Sequence, residues 1–183
     1  FFVCVILFMR FFEDNGLVIV NGCNIAIDCA RPKNAGLAVI THAHSDHLPS
    51  GKKFEGKTLA SRETIELLNG RVKGGKIIAK SFSEKHEFDN LRISLESSCH
   101  ILGSSQVILE GEKKVVVTSD FQLQESLMLP KAEVHSADIL VIESTFGIPS
   151  YSFPERQETY AEIAKWVENN SREGKFSVLA GYA

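Results

Sequence analysis

The chain has 183 residues, enough for one domain with its own core. Hydrophobic residues make up 44% and charged residues 23%, an ordinary globular balance that excludes a disordered or fibrous chain. The net charge of −3 carries no overall signal for nucleic acid.

Residues 1–8 form an apolar run too short to span a membrane. The run lacks the basic start and small-residue cleavage site of a signal peptide. Met9 is a candidate natural start, and residues 1–16 read as an extension or a first strand. Both ends have the look of cuts, so the parent protein is expected to be longer. Leu17–Val20 and Asn24–Ile27 read as strands around the tight-turn pair Asn21-Gly22. Asp28 ends the second strand. A carboxylate there is a surface terminator or a buried anchor, and position alone favours the terminator. Residues 31–36 are a loop. Residues 37–41, Leu-Ala-Val-Ile-Thr, read as a buried strand.

The next six positions hold three histidines and an aspartate: His42, His44, Asp46 and His47. Imidazole and carboxylate are the groups that bind zinc and similar divalent ions. If the chain stays extended past the strand, residues two apart share a face, so His42 and His44 point the same way. A turn at Ser45-Asp46 would swing Asp46 and His47 towards a second point. That suits two metals about 3.5–4 Å apart better than one. The bland alternatives are a histidine-rich surface loop or a tag remnant. A tag would be terminal and all histidine, whereas this run is mixed and follows a buried strand.

Leu48-Pro49-Ser50-Gly51 breaks the chain, and residues 61–69 read as a helix with Ser61 as N-cap and Gly70 at the stop. Residues 51–85 carry nine Lys/Arg against four Glu. Such a segment beside a metal motif can help hold a polyanion, but a solvated helix face is the simpler reading. Residues 77–79 and 91–95 read as strands, the second with clean alternation. Cys99-His100 follows. Residues 106–109 and 114–118 flank Glu110-Gly111-Glu112 as a hairpin, and the second of these strands runs into Ser119-Asp120. Residues 139–142 form a buried strand that ends in Glu143-Ser144-Thr145-Phe146-Gly147. Residues 155–169 read as an amphipathic helix with Tyr160, Ile163, Ala164 and Val167 on its apolar face. Residues 176–183 read as a strand that stops without a closing element. Both helices are expected to lie on a sheet. The four cysteines, Cys4, Cys23, Cys29 and Cys99, show no C-x-x-C spacing, and free thiols in a reducing cytoplasm fit best. Cys99 reads as a small, half-buried strand residue. His86 and His135 read as ordinary surface or loop residues.

Acidic or imidazole side chains thus recur where strands end: Asp28, the 42–47 cluster, His100, Asp120 and Glu143. Five in succession suggest one site along one sheet edge. This ordered set resembles the metallo-β-lactamase superfamily. His42, His44, Asp46 and His47 match its H-x-H-x-D-H signature, Asp28 its earlier strand-end Asp, His100 with Gly103 and Ser104 its H-x-x-G-S histidine, and Asp120 its metal-bridging Asp. Glu143-Ser144-Thr145-Phe146-Gly147, His100-Ile101-Leu102-Gly103-Ser104-Ser105-Gln106 and Ala180-Gly181-Tyr182-Ala183 resemble motifs of its β-CASP nuclease branch. That branch includes mRNA 3′-end processing factors, the cleavage and polyadenylation nuclease and ligase-associated exonucleases. Ser119 departs from the usual Gly before the bridging Asp, and Leu48-Pro49 from the usual continuation.

The resemblance implies an α/β fold, an incomplete αβ/βα metallo-β-lactamase sandwich with helices on the outer face. Its core would run over 17–175, with 176–183 opening a truncated β-CASP region. It implies two zinc ions: one on His42, His44 and His100, the other on Asp46 and His47, with Asp120 between them. The second site would be incomplete here, because the family's later histidine is absent. Asp46 and Asp120 would be catalytic, and Asp28 and Glu143 would stand behind the ligands. The implied activity is hydrolysis of RNA or single-stranded DNA by metal-bound hydroxide, weak in this chain alone. No membrane partner is implied, and a homodimer fits the full-length protein. Two other classes remain open: a non-catalytic metal-binding scaffold subunit, and a hydrolase of small thioesters or lactones.

Overall fold

The computed structural model describes residues 10–13, 17–20, 24–32, 35–49, 54, 56–72 and 75–180. The turn at Asn21-Gly22, the run 1–8, Cys4, Cys23 and residues 181–183 lie outside them. The contacts divide the chain into two units, Phe1–Glu143 and Ser144–Ala183.

The first unit is two sheets sharing a core. In the first sheet, β1 (Arg10–Glu13), β2 (Leu17–Val20) and β3 (Asn24–Ile27) pair antiparallel. β4 (Leu37–Val39), β5 (Lys57–Ser61) and β6 (Lys76–Lys80) continue it in parallel. The second sheet runs β11-β10-β9-β8-β7. Its strands β7 (His86–Phe88), β8 (Leu91–Ser97), β9 (Ser105–Glu110) and β10 (Lys114–Val117) form an antiparallel meander. β11 (Ile139–Val141) adds to it in parallel with β10.

The two inner faces meet in one cluster. Ile25, Ile27, Leu37, Val39 and Leu59 from the first sheet pack with Leu91, Ile93, Leu95, Val107, Leu109, Val115 and Val117 from the second. Residues one step along, Ile40 and Ala60, point to the opposite face, because side chains alternate across a strand. There they meet Leu68 of α1 (Arg62–Leu68), with Ile65 packed alongside. α1 therefore covers the outer face of the first sheet, as expected. Its N-cap is Ser61, whose Oγ accepts from the Thr64 amide at 3.0 Å. The left-handed stop falls on Asn69 rather than first on Gly70, at φ 44° and ψ 46°.

The second unit is described by itself. It carries α2 (Arg156–Arg172), none of whose residues is buried; of the apolar face read from the sequence, Tyr160 and Val167 are half-buried and Ile163 and Ala164 exposed. The packing expected of it on a sheet is a relation between units and stays an expectation. Phe146, Tyr151 and Phe153 form a small aromatic cluster with centroids 5.2 to 6.3 Å apart. The strand expected at 176–183 is not present over 176–180. A strand needs a ladder partner for its amides, and this segment has none among the described residues.

Candidate metal centre

β3 and β4 run parallel in the register Ile27↔Val39, so their C-terminal ends emerge together. β10 and β11 do the same in the register Val117↔Val141. The residues just past these ends are Asp28, Thr41-His42, Ser119-Asp120 and Glu143. The 97–105 connection between β8 and β9 brings His100 to the same place.

The first anchor is Asp28. Its Oδ1 accepts from the Thr41 amide at 2.9 Å, and its Oδ2 accepts from Thr41 Oγ1 at 2.6 Å. The same Oδ2 lies 2.9 Å from His47 Nδ1 and 3.1 Å from Ser119 Oγ. Asp28 is therefore a half-buried anchor rather than the exposed terminator that position alone favoured. With both oxygens filled by donors, Asp28 holds His47 in place and turns its Nε2 outward.

A short 3-10 turn, Ser45–His47, swings the chain as expected. It leaves the Asp46 side chain 82% exposed, with Oδ2 3.6 Å from His47 Nε2. The 42–44 stretch is held from two sides: Ser105 gives both its amide and its hydroxyl to Thr41 O, each at 3.0 Å, and Arg71 Nη2 donates to Ala43 O at 2.9 Å. Arg71 did not stand out in the sequence, because it acts across tertiary distance, and Ser105 stood there only as part of the 100–106 motif.

The His100 turn rests on Gly103 and Ser104. Ser104 Oγ accepts from the amides of His100 and Ile101 at 3.0 and 3.1 Å. Gly103 has φ +78°, and a Cβ there would lie 2.6 Å from the Thr64 amide nitrogen. Its carbonyl accepts from Ser61 Oγ and Thr64 Oγ1, which locks the His100 turn to the start of α1. Cys99 is fully buried in this turn at φ 59°, not half-buried on a strand, because β8 ends at Ser97. On the far side, Glu143 Oε1 accepts from the Phe121 amide at 3.4 Å, beside Asp120.

Together these elements bring His42, His44, His100 and Asp120 into one group whose ligand atoms all lie within 4.8 Å of one another. His44 Nδ1 is 3.1 Å from His42 Nε2 and 3.2 Å from His100 Nε2. Asp120 Oδ2 is 3.4 Å from His100 Nε2, 3.7 Å from His47 Nε2 and 3.8 Å from His42 Nε2. A tetrahedral ion with bonds of about 2.0–2.1 Å sets neighbouring ligand atoms roughly 3.3 Å apart. The donor set and its spacing therefore fit a metal ion. His86 and His135 stay apart from this group. The Nε2 atom of each is buried without a hydrogen-bond partner among the described residues, so they are not simple surface residues.

The electrostatics favour the neutral form of His42 and His100. Burial, then the neighbouring His47, His100 and His44, push His42 down to about 2. Burial also lowers His100, against the pull of Asp120. For His47 burial alone would lower the value, but the hydrogen bond and charge of Asp28, with Asp120 and Asp46, raise it above 6.5. A pH dependence follows for the metal-free chain. Below 6.5 the unfolded chain binds a proton at His42 that the folded chain refuses, so stability falls as pH drops from 6.5 towards 2. Each unit in that window costs up to about 1.4 kcal/mol for His42. His47 has the opposite sign: its contribution is full below 6.5 and is lost as pH rises through its folded value. The urea midpoint should be lower at about pH 5 than at about pH 7.5, and an unchanged midpoint would contradict a neutral, buried His42.

No protein-family profile matches the chain. It is 29% identical over 72% of its length to "RNase aCSPSF2" of Saccharolobus solfataricus. It is 29% identical over 80% of its length to "RNase J-like protein" of Methanocaldococcus jannaschii. The chain spans about a third of the length of each, 33% in both cases. Among solved structures, a possible metal-dependent hydrolase from Veillonella parvula shares the fold, with a TM-score of 0.50, 14% identity and 63% of each chain covered. No helix among the described residues is long and apolar enough to cross a membrane. The sandwich, the strand-end cluster and these relatives agree: the chain is similar to metallo-β-lactamase proteins of the β-CASP branch.

Proposed function

We propose that this chain carries the metal centre of a zinc-dependent phosphodiesterase that cleaves RNA or single-stranded DNA. The convergence of His42, His44, His100 and Asp120 on one point carries the reading. The names of the relatives support the substrate class. Zinc at such a site acidifies water and offsets charge on a phosphate.

The chain's own residues have separate tasks. His42, His44 and His100 would hold one ion, and Asp46 with His47 would begin a second position. Asp120 could serve both, since its Oδ2 lies 3.4 Å from His100 Nε2 and 3.7 Å from His47 Nε2. Asp46, exposed beside His47, orients the attacking water and takes its proton. Asp28 fixes the His47 ring, and Glu143 fixes the backbone that follows Asp120.

The first position has three histidines and a carboxylate. The second has only Asp46, His47 and a share of Asp120 among the described residues. The 183-residue chain should therefore hold nearer one tight zinc than two and turn over labelled RNA negligibly. Metal analysis by mass spectrometry and a nuclease assay on the same preparation test this. Two tight zinc ions with robust cleavage would mean that a further ligand completes the second position. Offering the full-length protein RNA, single-stranded DNA and a thioester then tests the reaction class, and turnover of the thioester alone would replace the nuclease reading.

A further inference from the structure

We propose that Ser119 is a positioning residue of the metal centre: its hydroxyl ties the Asp120 segment to the Thr41–Asp28 pair, and so sets the bridging carboxylate against the histidines. The proposal rests on the reading of the cluster as a metal site.

The backbone is the first observation. Ser119 stands at φ 50°, a left-handed conformation that costs a side chain of order 1 kcal/mol or more and that glycine takes freely. Such a residue persists when its surroundings hold it in place. Here they do. Ser119 Oγ is 2.8 Å from Thr41 Oγ1 and 3.1 Å from Asp28 Oδ2.

Counting protons gives direction to these contacts. Thr41 Oγ1 has three polar neighbours: Asp28 Oδ2 at 2.6 Å, Ser119 Oγ at 2.8 Å and His42 Nδ1 at 3.0 Å. Its single proton goes to the carboxylate, the shortest and charge-assisted contact. Its two lone pairs then accept from Ser119 O–H and from His42 Nδ1–H. A neutral His42 protonated at Nδ1 keeps a free lone pair on Nε2, the atom that faces His44 and Asp120.

Asp120 lies between two such ties. The residue before it is bound to Thr41 and Asp28, and the residue after it to Glu143 through the Phe121 amide. Ser119 thus links the two sheets at the point where their ligands meet: Thr41 follows β4, and Ser119 follows β10.

Two variants separate this role from a purely structural one. Ser119→Gly removes the hydroxyl and relieves the backbone strain, whereas Ser119→Ala removes the hydroxyl and keeps the strain. Zinc affinity, measured by competition with a chelator, should fall about tenfold in both. The visible cobalt(II) spectrum should shift in both. The urea midpoint of the metal-free protein should diverge, with the Gly variant above the Ala variant. If zinc affinity instead follows the urea midpoint, or if both variants match the parent in affinity and cobalt spectrum, Ser119 is not a positioning residue. A parent chain that binds no zinc at all would overturn the metal reading and this inference together.

Discussion

Replacing Asp120 by Asn should reduce hydrolysis of RNA or single-stranded DNA by the full-length protein roughly a thousandfold or more, and should release at least one metal ion. The reason is local. Asp120 Oδ2 lies within 3.4 to 3.8 Å of ring nitrogens from His100, His47 and His42. No other described carboxylate reaches all three. Asn keeps the shape and the hydrogen bonds of the flanking residues but removes the negative charge that two neighbouring cations would share. It can also turn an amide donor towards nitrogens that need their lone pairs for metal. Turnover and metal content should be measured on one preparation. Near-parental turnover with an unchanged zinc count would show that Asp120 is not the shared ligand.

Asp28→Ala should have the larger effect on stability. Three donors converge on this carboxylate, the Thr41 amide, Thr41 Oγ1 and His47 Nδ1, and Ser119 Oγ lies 3.1 Å from its Oδ2. Truncation leaves them without their acceptor in a site where Thr41 is fully buried. A loss of about 3 kcal/mol is expected, together with a 10- to 100-fold weaker zinc affinity as the His47 ring loses its orientation. Asp28 also stands at φ 49°, where Asn is tolerated better than Ala. Asp28→Asn should therefore keep more of the stability and still lose metal affinity, because the charge opposite His47 is gone. Urea titrations of the metal-free variants, paired with chelator competition, read both effects. Equal zinc affinity in all three proteins would remove Asp28 from the metal centre.

The candidate ligands were legible because short-range spacing carries them. His42, His44, Asp46 and His47 announce a metal loop, and each later ligand follows a recognisable strand. β3, β4, β8, β9, β10 and β11 were legible from their apolar runs. β5 was not: Lys57-Thr-Leu-Ala-Ser61 has a single large apolar residue, and it forms a strand because it lies between β4 and β6. There Thr58, Ala60 and Ser61 are small enough to be fully buried. β1 and β7 are short and exist through their hairpin partners β2 and β8. β7 turns into β8 through Asp89-Asn90, with Asp89 at φ 52°, a signal that was present but unread. At the site, Thr41, Arg71, Ser105 and the bonds of Ser119 depend on which strand ends become neighbours. No local pattern encodes that.

The bond between Thr41 and Ser119 joins residues 78 positions apart, one just past a strand of each sheet. This has a consequence for how the protein is made. A growing chain exposes the 42–47 run long before Asp120 is synthesised, and the loop between them can close only after β8, β9 and β10 have assembled. Closing it carries an entropic cost that local contacts do not repay. During that interval the cell's metal ions meet a flexible histidine-rich stretch with no Asp120 and no fixed geometry. That stretch discriminates poorly among ions, and copper outcompetes zinc at such imidazole sites. If the site takes zinc as proposed, correct loading would belong to the finished sandwich, and buffered zinc supplied after folding is expected to matter more than zinc present during synthesis.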